Sequence, residues 1–551
     1  MLNPAIRITK SQLKILFLLF FAFLIFNFNS CFLFKDEGYA IKTTAFFITL
    51  EDGTKLDCTK FYPEAAPPPG GWSALIYCHG FGHSKLEDSK NAEAFAKKGY
   101  YTLVYSMRGQ GLSTGLSNLI SITEANDFTK VIEYVKKEPF INPERVGAIG
   151  GSQGGTVPFM AVCNGLDLRC IVSNMSTPEL STTWIENNSI KMTLLWSLSY
   201  DNTIVRYDPT VARMRDWILE DTPEKWDSLI FYLPQGRDFI NKVSKSKTPI
   251  FVSTVWQDKF FNSYGMLKTI DLLNVPYRMY FGTLDAHGAD PYKPQITYND
   301  TISAQWIEYW LGNIQNGCLD SSKFVCVSST YPREAGEKQV MWNWQPFYSN
   351  TWPPDGVEKV KFYFDTGNKL SNTPVDSNTI ILHNEIKDTS LNMLEAVNRE
   401  FTGDIFNSKF TKSELIFETA PLKQPCRLAG TPFVKLFYES DTVIAQFNFQ
   451  VWEVKPSGEA NIVTRANYTD RSTEPNVIRE VLFNGISSSH VFGQNSRIRI
   501  IITNLDNITD DPFLRTNPHV LPSMVNAKNI IYNSKTKPTY IELPLINYVR
   551  N

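Results

Sequence analysis

The chain has 551 residues, of which 54 are basic and 56 acidic, and its formal net charge is −2. A length above about 300 residues exceeds what one hydrophobic core fills, so we expect two globular domains. The balanced charge excludes a protein that binds nucleic acid through a strong positive field. The content of 43% hydrophobic and 13% aromatic residues excludes a disordered chain.

Residues 1–31 form a predicted export signal. Basic residues at Arg7, Lys10 and Lys14 precede the apolar run of residues 15–26, which is the order of an n-region and an h-region. Cys31 follows Ser30 as in a relaxed lipoprotein cleavage site, so a lipid on Cys31 is one expectation. Because the apolar stretch continues to Phe34, an uncleaved membrane anchor is the alternative. Both interpretations place the protein outside the cytosol, at the membrane, the cell surface or in the periplasm.

Seven further cysteines bear on redox state and on metal binding, and none forms a CxxC pair of the kind that holds zinc. We expect no metal or other cofactor. The close spacings suggest that Cys318 pairs with Cys326 and Cys163 with Cys170, and buried free thiols are the alternative. The seven are Cys58, Cys78, Cys163, Cys170, Cys318, Cys326 and Cys426.

Residues 40–340 alternate short apolar runs with amphipathic stretches, which predicts an α/β domain with a mostly parallel sheet. Trp-bearing helical segments interrupt this alternation at about residues 177–246, and we expect them to form a cap over the carboxyl ends of the strands, where they would wall a substrate pocket. The predicted strands are residues 73–80, 101–107, 145–151, 169–176, 249–256 and 277–283.

The pattern of apolar and polar residues changes at about residue 341, which predicts a second domain over residues 341–551. In residues 445–452 apolar and polar side chains alternate, which indicates strands with one buried face and one mostly polar face. Residues 497–505 and 539–546 continue this period of two, and no clear helical stretch follows about Arg399. We therefore expect a C-terminal antiparallel β-sandwich.

Four glycines surround Ser152 in the stretch "GAIGGSQGG". The pattern G-x-S-x-G, here from Gly150 to Gly154, is typical of a nucleophilic serine on a sharp turn between a strand and a helix. Such a turn brings backbones so close together that side chains at the glycine positions would obstruct it. The apolar run before Ser152 and the helix-forming residues after it fit this context, so we predict that Ser152 is the nucleophile.

A serine nucleophile needs a general base, and the chain holds only six histidines. On an α/β-hydrolase sheet the order is serine, acid, histidine, which excludes His79 and His83. Three of the remaining histidines lie at or beyond the change from the α/β pattern to the sandwich pattern, namely His383, His490 and His519. His287, in contrast, lies just after the strand predicted at residues 277–283. We therefore predict that His287 is the base. The spacing of His79 and His83 also suits a metal pair, but no third ligand accompanies them, so structural roles are favoured.

The acid and the oxyanion donors complete the predicted site. Asp258 follows the strand predicted at residues 249–256 and is our candidate acid. Asp285 is its rival, disfavoured because it stands only two residues from His287. For the oxyanion hole we predict the backbone amides of Gln153, next to the nucleophile, and of Phe81, in the loop "HGFG".

The motifs "SMRGQGLS", "INPERVGAIGGSQGG", "VWQDKFF" and "DAHG", followed by the sandwich with "VWEVKPSGE", resemble the X-Pro dipeptidyl-peptidase and cocaine-esterase group of serine hydrolases. The resemblance implies an α/β-hydrolase domain with a helical cap and a C-terminal jelly roll that helps wall the active site. It matches Ser152, Asp258 and His287 to the nucleophile, acid and base. Members often carry a tyrosine hydroxyl as an oxyanion donor where this chain has Phe81, which favours a hole made of backbone amides alone.

These observations lead to a functional hypothesis with two alternatives. The leading one is an exported serine hydrolase that cleaves an ester or amide of a small-molecule or peptide acyl substrate through an acyl-enzyme on Ser152. The first alternative is an X-Pro dipeptidyl-peptidase proper, an activity disfavoured by the absence of the long N-terminal helical domain of those peptidases. The second is a non-catalytic surface protein that binds a partner through its β-sandwich.

Overall fold

The computed structural model describes residues 38–256, 258–283, 287, 293–330, 334–335, 340–341, 345–390, 404–506 and 520–550. The predicted export signal with Cys31, the rival acid Asp285 and His519 lie outside the described residues. None of the helices within these ranges has the length and apolar character needed to span a membrane.

The first domain is built on one sheet of ten strands. In space they run β1-β2-β4-β3-β5-β6-β7-β8-β9-β10, with parallel pairing from β4 to β9 and antiparallel pairing at both edges. The strands are β1 (Ile41–Thr49), β2 (Lys55–Pro63), β3 (Trp72–Cys78), β4 (Tyr101–Tyr105), β5 (Ile141–Gly151), β6 (Cys170–Asn174), β7 (Ile250–Val255), β8 (Tyr277–Gly282), β9 (Phe324–Thr330) and β10 (Gln345–Ser349).

Helices pack against this sheet. Phe128, Val131, Ile132 and Val135 in the second helix are buried at the predicted i, i+3, i+4, i+7 spacing. Gly99 follows the C-cap of the first helix at a φ of +95°, a conformation that glycine adopts without strain. The helices are α1 (Ser89–Lys97), α2 (Ile122–Lys136), α3 (Gln153–Cys163) and, after the cap, α8 (Ser263–Leu267) and α9 (Lys293–Trp310).

The interruption after β6 forms the predicted helical cap. Four α-helices and one 3₁₀ helix lie in it, together with a small hairpin of two-residue strands at Ile185–Glu186 and Ser189–Ile190. Its Trp184 and Trp196 line the cavity beside Ser152, so the cap walls that cavity. The helices are α4 (Leu180–Trp184), α5 (Met192–Ser197), α6 (Pro209–Glu220), α7 (Pro223–Tyr232) and the 3₁₀ helix Ile240–Lys245.

The C-terminal domain is a sandwich of antiparallel strands with its own apolar core. One sheet runs β18-β17-β21-β14, and the other is centred on β16, which pairs with β19 on one side and with β22 and β23 on the other. The strands are β11 (Glu358–Asp365), β12 (Lys369–Ser371), β13 (Ser377–Ile386), β14 (Glu414–Glu418), β15 (Cys426–Gly430), β16 (Phe433–Ser440), β17 (Ala445–Val454), β18 (Ala460–Asp470), β19 (Arg479–Asn484), β20 (Ser488–Phe492), β21 (Arg497–Thr503), β22 (Ala527–Ser534) and β23 (Tyr540–Ile546).

The structure differs from the sequence-based expectations at the start of this second domain. Strand β10, which falls in the predicted sandwich, pairs with β9 and so extends the hydrolase sheet beyond residue 341. A six-residue helix, α10 (Asp404–Lys409), follows Arg399, where we expected none. Six residues make fewer than two helical turns, which is too short for a helical period to be visible in the sequence.

The polar face of β17 is also different from what the alternation suggests. The apolar residues Ala445, Phe447, Phe449 and Val451 are fully buried, as expected. Their polar neighbours are buried too, because residues 504–506 and 520–523 cover that face. Asn448 donates to the carbonyl oxygens of Thr503 and Asn504, which satisfies its buried amide.

The cysteines correct one expectation. All seven described cysteines are buried free thiols, so neither of the suggested disulfides forms. Cys170 starts the central strand β6 and Cys326 lies in β9, where both side chains belong to packed apolar clusters. The alternative expectation, buried free thiols, is therefore the one that the structure confirms.

Candidate active site

Ser152 stands on a sharp turn between β5 and α3. Its backbone has φ 58° and ψ −122°, a region that a residue other than glycine rarely adopts. The turn is held by its own hydrogen bonds: the N–H of Ser152 donates to the carbonyl oxygen of Asn174 at 2.9 Å, and that of Thr156 donates to the carbonyl oxygen of Ser152 at 2.9 Å. The strained backbone of Ser152 is therefore held in place by β6 on one side and by the first turn of α3 on the other.

The glycines around Ser152 are explained by backbone contacts. A Cβ on Gly154 would lie 1.8 Å from the carbonyl oxygen of Cys78, and one on Gly150 would lie 2.3 Å from the same oxygen. A Cβ on Gly155 would lie 2.5 Å from the carbonyl oxygen of Asn174. These distances leave no room for a side chain, whereas Gly151 meets nothing closer than 3.5 Å. The turn can thus form only if three of the four positions lack a Cβ.

Asp258 and His287 are brought together from two neighbouring strand ends. Asp258 follows β7 and His287 follows β8, and Nδ1 of His287 lies 2.8 Å from Oδ1 and 2.7 Å from Oδ2 of Asp258. The carboxylate is almost fully buried, with 1% exposure, and its Oδ1 also accepts the backbone N–H groups of Phe260 and Phe261 at 2.8 and 3.0 Å. This arrangement holds the imidazole with its other nitrogen, Nε2, directed away from the carboxylate.

Ser152 and His287 line the same cavity, which has a volume of about 440 Å³. The ring of His287 packs edge-on against Phe260 and Phe261, with centroid distances of 4.9 and 5.2 Å. Phe81 lines the cavity as well. The structure therefore gathers the predicted nucleophile and base, and the loop predicted to hold an oxyanion donor, around one space.

Among residues 80–83 of the loop after β3, one backbone amide lacks an acceptor in the described part of the chain. The N–H of Gly80 donates to Glu87, that of Gly82 donates to Gln110, and that of His83 donates to the carbonyl oxygen of Gly80. The N–H of Phe81 has no acceptor among the described residues. The N–H groups of a first helical turn have no partner within the helix, and Gln153 is the first residue of α3. The two amides predicted from sequence as oxyanion donors thus have no hydrogen-bond acceptor among the described residues.

Two buried side chains connect or hold the segments that carry these two amides. Gln110 donates from Nε2 to Oε1 of Gln153 at 3.0 Å and accepts the N–H of Gly82 at 2.9 Å, so it connects the turn at Ser152 with the loop of Phe81. His79 accepts the N–H of Met107 at Nε2 and donates from Nδ1 to the carbonyl oxygen of Gly80. Complete burial lowers the pKa of His79 to about 4, so the ring is neutral and structural, in line with the role favoured for it.

Gln110 was not identified from the sequence, although it lies within the quoted motif "SMRGQGLS". The neighbouring Arg108 ion-pairs with Asp127 and Asp52, which braces the loop rather than the site. In the sequence, Gln110 is marked only by its place between two glycines. Its hydrogen-bond partners lie 28 and 43 residues away, so no local pattern indicates them.

Charged and aromatic side chains form the remaining walls of the cavity. Glu87 and Asp88 line it beside the loop of Phe81, and burial together with the neighbouring Glu87 raises the pKa of Asp88 to about 7. Lys259 stands above the rings of Trp196 and Phe260 at 5.8 and 5.3 Å. The cavity can therefore meet a substrate with polar groups as well as with apolar ones.

His83 also lines this cavity, with its Nδ1 3.4 Å from Oε1 of Glu87, whereas the two described histidines of the C-terminal domain do not reach it. His383 is exposed on β13. His490 is fully buried between the two domains, where Nδ1 lies 2.8 Å from Oγ of Ser329 and Nε2 lies 2.9 Å from Oε2 of Glu453. In the part of the chain that the structure describes, no cluster of three His, Cys, Asp or Glu side chains is placed to hold a metal ion.

Comparison with known proteins agrees with this architecture. Residues 52–283 match the model of the X-Pro dipeptidyl-peptidase (S15) family, and residues 331–542 match that of the X-Pro dipeptidyl-peptidase C-terminal non-catalytic domain. Among curated proteins, the thiohydrolase aneE of Aspergillus aculeatus is 30% identical over 142 residues, 25% of this chain and 43% of its own length. An uncharacterized 31.7 kDa protein of Escherichia coli is 33% identical over 104 residues, 18% of this chain and 36% of its own length. The chain thus spans less than half the length of these relatives.

Solved structures share the whole fold at low sequence identity. A CocE/NonD family hydrolase from Staphylococcus aureus superposes with a TM-score of 0.70 at 10% identity, over 92% of this chain and 97% of the other. An aminopeptidase from a marine sediment Thaumarchaeota archaeon gives a TM-score of 0.67 at 15% identity, over 92% and 97%. An alpha-amino acid ester hydrolase gives 0.67 at 15% identity, over 93% and 98%.

The two family matches follow one another along the chain in the same order as the two domains of the structure. The resemblance read from the motifs is therefore confirmed. The chain belongs to the X-Pro dipeptidyl-peptidase family of serine hydrolases, with an α/β-hydrolase domain followed by the C-terminal domain of that family.

Proposed function

We propose that this serine hydrolase cleaves its substrate through an acyl-enzyme on Ser152, with His287 as general base and Asp258 as the acid that orients it. The observation that carries the proposal is the contact of 2.7 Å between His287 and Asp258 at the cavity that Ser152 lines from a strained turn. A strained serine and a carboxylate-bound histidine at one cavity are what nucleophilic acyl transfer requires.

In the first half of the reaction, Nε2 of His287 takes the proton of the Ser152 hydroxyl as Oγ bonds to the substrate carbonyl carbon. The carbonyl oxygen becomes an oxyanion, which the N–H groups of Gln153 and Phe81 stabilise. The bond to the leaving group then breaks, and the leaving oxygen or nitrogen receives the proton from His287. Water deacylates Ser152 by the same sequence, with His287 first taking and then returning a proton.

We propose esters as the preferred substrates and an X-Pro dipeptide amide as the alternative. Phe81 supports this preference, because its ring offers no hydroxyl donor to the oxyanion and leaves two backbone amides for that task. An ester, with its better leaving group, needs less oxyanion stabilisation than an amide. Turnover of p-nitrophenyl butyrate and of Gly-Pro-p-nitroanilide by the wild type and by Ser152→Ala tests the proposal.

We expect the wild type to hydrolyse the ester faster than the anilide, and Ser152→Ala to hydrolyse neither. Comparable or faster turnover of the anilide would instead establish the dipeptidyl-peptidase. Absence of any hydrolysis by wild type, together with glycan or protein binding that Ser152→Ala retains, would establish the non-catalytic surface protein.

We also propose that the protein is exported and held at the membrane by its N-terminal segment. The basic residues followed by the apolar run of residues 15–26 support this, and Cys31 offers a position for a lipid. Fractionation of cells that express the full chain tests it: we expect the protein in the membrane fraction, and recovery in the cytosol would contradict the proposal.

A further inference from the structure

The cap hairpin reaches from the hydrolase domain into the sandwich. At its turn, Asn187 accepts the backbone N–H of Thr469 at its carbonyl oxygen, and its Nδ2 donates to the carbonyl oxygens of Asn467 and Asn484 at 2.9 and 2.8 Å. Oγ of Ser189 lies 2.8 Å from Oγ1 of Thr469. The sandwich strands β18 and β19 thus hold the hairpin through specific hydrogen bonds.

One residue of this hairpin, Glu186, joins three parts of the molecule. Its side chain is 3% exposed, and Oε2 lies 3.1 Å from Nζ of Lys191, which is equally buried. Oε1 accepts Nδ2 of Asn262 at 3.1 Å and Nδ2 of Asn484 at 3.2 Å. A single buried carboxylate oxygen therefore connects the sandwich strand β19 with the loop that follows β7.

That loop is the one that carries Asp258. Asn262 directly follows Phe261, and the N–H groups of Phe260 and Phe261 are the two that Oδ1 of Asp258 accepts. The rings of the same two phenylalanines pack against His287. A displacement of Asn262 would consequently move the amides that fix the carboxylate and the rings that contact the imidazole.

A carboxylate is a costly group for this position if its role is only to fill space. Removing it from water is unfavourable, and apolar side chains of similar volume usually stabilise a protein at least as well as a buried ion pair. An acceptor shared by two amide donors, in contrast, fixes direction and distance. A carboxylate at residue 186 is thus explained by the need to hold the two amide donors at a fixed direction and distance.

We infer that Glu186 is a positioning residue through which the C-terminal domain sets the loop of Asp258 and hence the orientation of His287. The inference rests on the proposed function of Ser152, Asp258 and His287. The family's C-terminal domain would in this chain act on catalysis along the path Asn484, Glu186, Asn262, and not only by walling the cavity.

The test uses two variants that cut this path on opposite sides of Glu186 without leaving Lys191 unpaired. Asn484→Ala removes the sandwich donor. Asn262→Ser keeps an oxygen that can cap α8, as Oδ1 of Asn262 does for the N–H of Tyr264, but is too short to reach Glu186. We expect each variant to lower kcat for p-nitrophenyl butyrate about 10-fold, within the 10²-fold that a misplacement of about 1 Å can cost. KM should change less than 2-fold, since the loss concerns the transition state.

The double variant provides a second readout. Because both changes act through the same carboxylate, we expect the kcat of the double variant to be little lower than that of the less active single variant. If the two changes acted independently, their fold-losses in kcat would multiply. Arg471→Ala is the matched control. It breaks the ion pair with Asp221, the packing on Trp226 and the hydrogen bond from Nε to the carbonyl oxygen of Asn188 in the same hairpin, but it touches neither Glu186 nor the loop of Asp258. We expect its kcat to equal that of the wild type.

Unchanged kcat in both single variants, or an equal loss in Arg471→Ala, would overturn the role of Glu186. Labelling of Ser152 by a fluorophosphonate distinguishes this failure from failure of the proposed function. If the wild type is labelled, the acyl-enzyme proposal stands whatever the variants do; if the folded wild type neither reacts nor turns over ester, the proposed function itself fails. Circular dichroism and thermal melting of each variant show that the comparison concerns folded protein.

Discussion

Nδ1 of His287 lies 2.7 Å from Oδ2 of Asp258, across the ends of two adjacent strands. A carboxylate in this place fixes the tautomer that leaves Nε2 free to accept a proton. Asp258→Asn keeps an oxygen for the two backbone amides but turns an amide donor or a neutral oxygen toward the ring. We therefore expect kcat to fall by about 10³- to 10⁴-fold with little change in stability.

Steady-state kinetics and thermal melting of Asp258→Asn check this expectation, and Asp285→Asn is the matched control for the rival acid. Loss of activity in Asp285→Asn with retention in Asp258→Asn would reverse the assignment of the acid.

The glycines at the turn give a prediction about folding. Gly154→Ala would place a Cβ 1.8 Å from the carbonyl oxygen of Cys78, in the backbone of a fully buried strand that cannot yield. We expect a loss of at least about 3 kcal/mol in the free energy of unfolding, or no folded protein. Gly151→Ala, whose Cβ would meet nothing closer than 3.5 Å, should fold like the wild type. Urea unfolding measures both, and equal stability of the two variants would contradict the close backbone approach.

The buried His79 predicts an acid-sensitive fold. Its pKa is about 4 in the folded protein against an ordinary value of 6.5, so the unfolded chain binds more protons between these pH values. The stability contributed by the neutral ring is complete above about pH 6.5 and is lost as the pH falls toward 4, by at most about 3 kcal/mol. His79→Gln keeps an acceptor for the N–H of Met107 and cannot titrate there. Its free energy of unfolding should therefore decline less from pH 7 to pH 4.5, and a decline as steep as that of the wild type would contradict the role of His79.

The free thiols predict slow reaction with Ellman's reagent. Burial raises the pKa of all seven described cysteines, for Cys318 to about 11, which keeps them protonated and shielded. In the folded protein we expect none of the seven to react within minutes, and all seven to react after unfolding without a reductant. Recovery of fewer than seven of these thiols in the unfolded, unreduced protein would indicate a disulfide.

The sequence predicted the parallel strands within a few residues because buried strands read as continuous apolar runs: the run at residues 277–283 is strand β8, Tyr277–Gly282. The antiparallel strand β1 was not predicted. Its side chains are mostly exposed on both faces, so it carries no alternation. The order of serine, acid and base along an α/β-hydrolase sheet was enough to select Asp258 and His287, since each directly follows a strand.

The supporting residues could not be predicted in this way. Gln110 acts on Gln153 across 43 residues, and Glu186 acts on Asn484 across 298, so their partners are defined only by the tertiary fold. The polar face of β17 reads as solvent-facing for the same reason, because the segments that bury it come from elsewhere in the chain. Local patterns thus selected the candidate catalytic residues but not the hydrogen bonds that hold them.

The measurement that tests the proposed mechanism most directly is labelling of the folded wild type with a fluorophosphonate, followed by peptide mapping by mass spectrometry. We predict one adduct per chain, on Ser152, with no adduct on Ser152→Ala and slower labelling of His287→Ala. An unlabelled wild type under conditions in which a control esterase reacts, or an adduct on another serine, would contradict the assignment of Ser152 as the nucleophile.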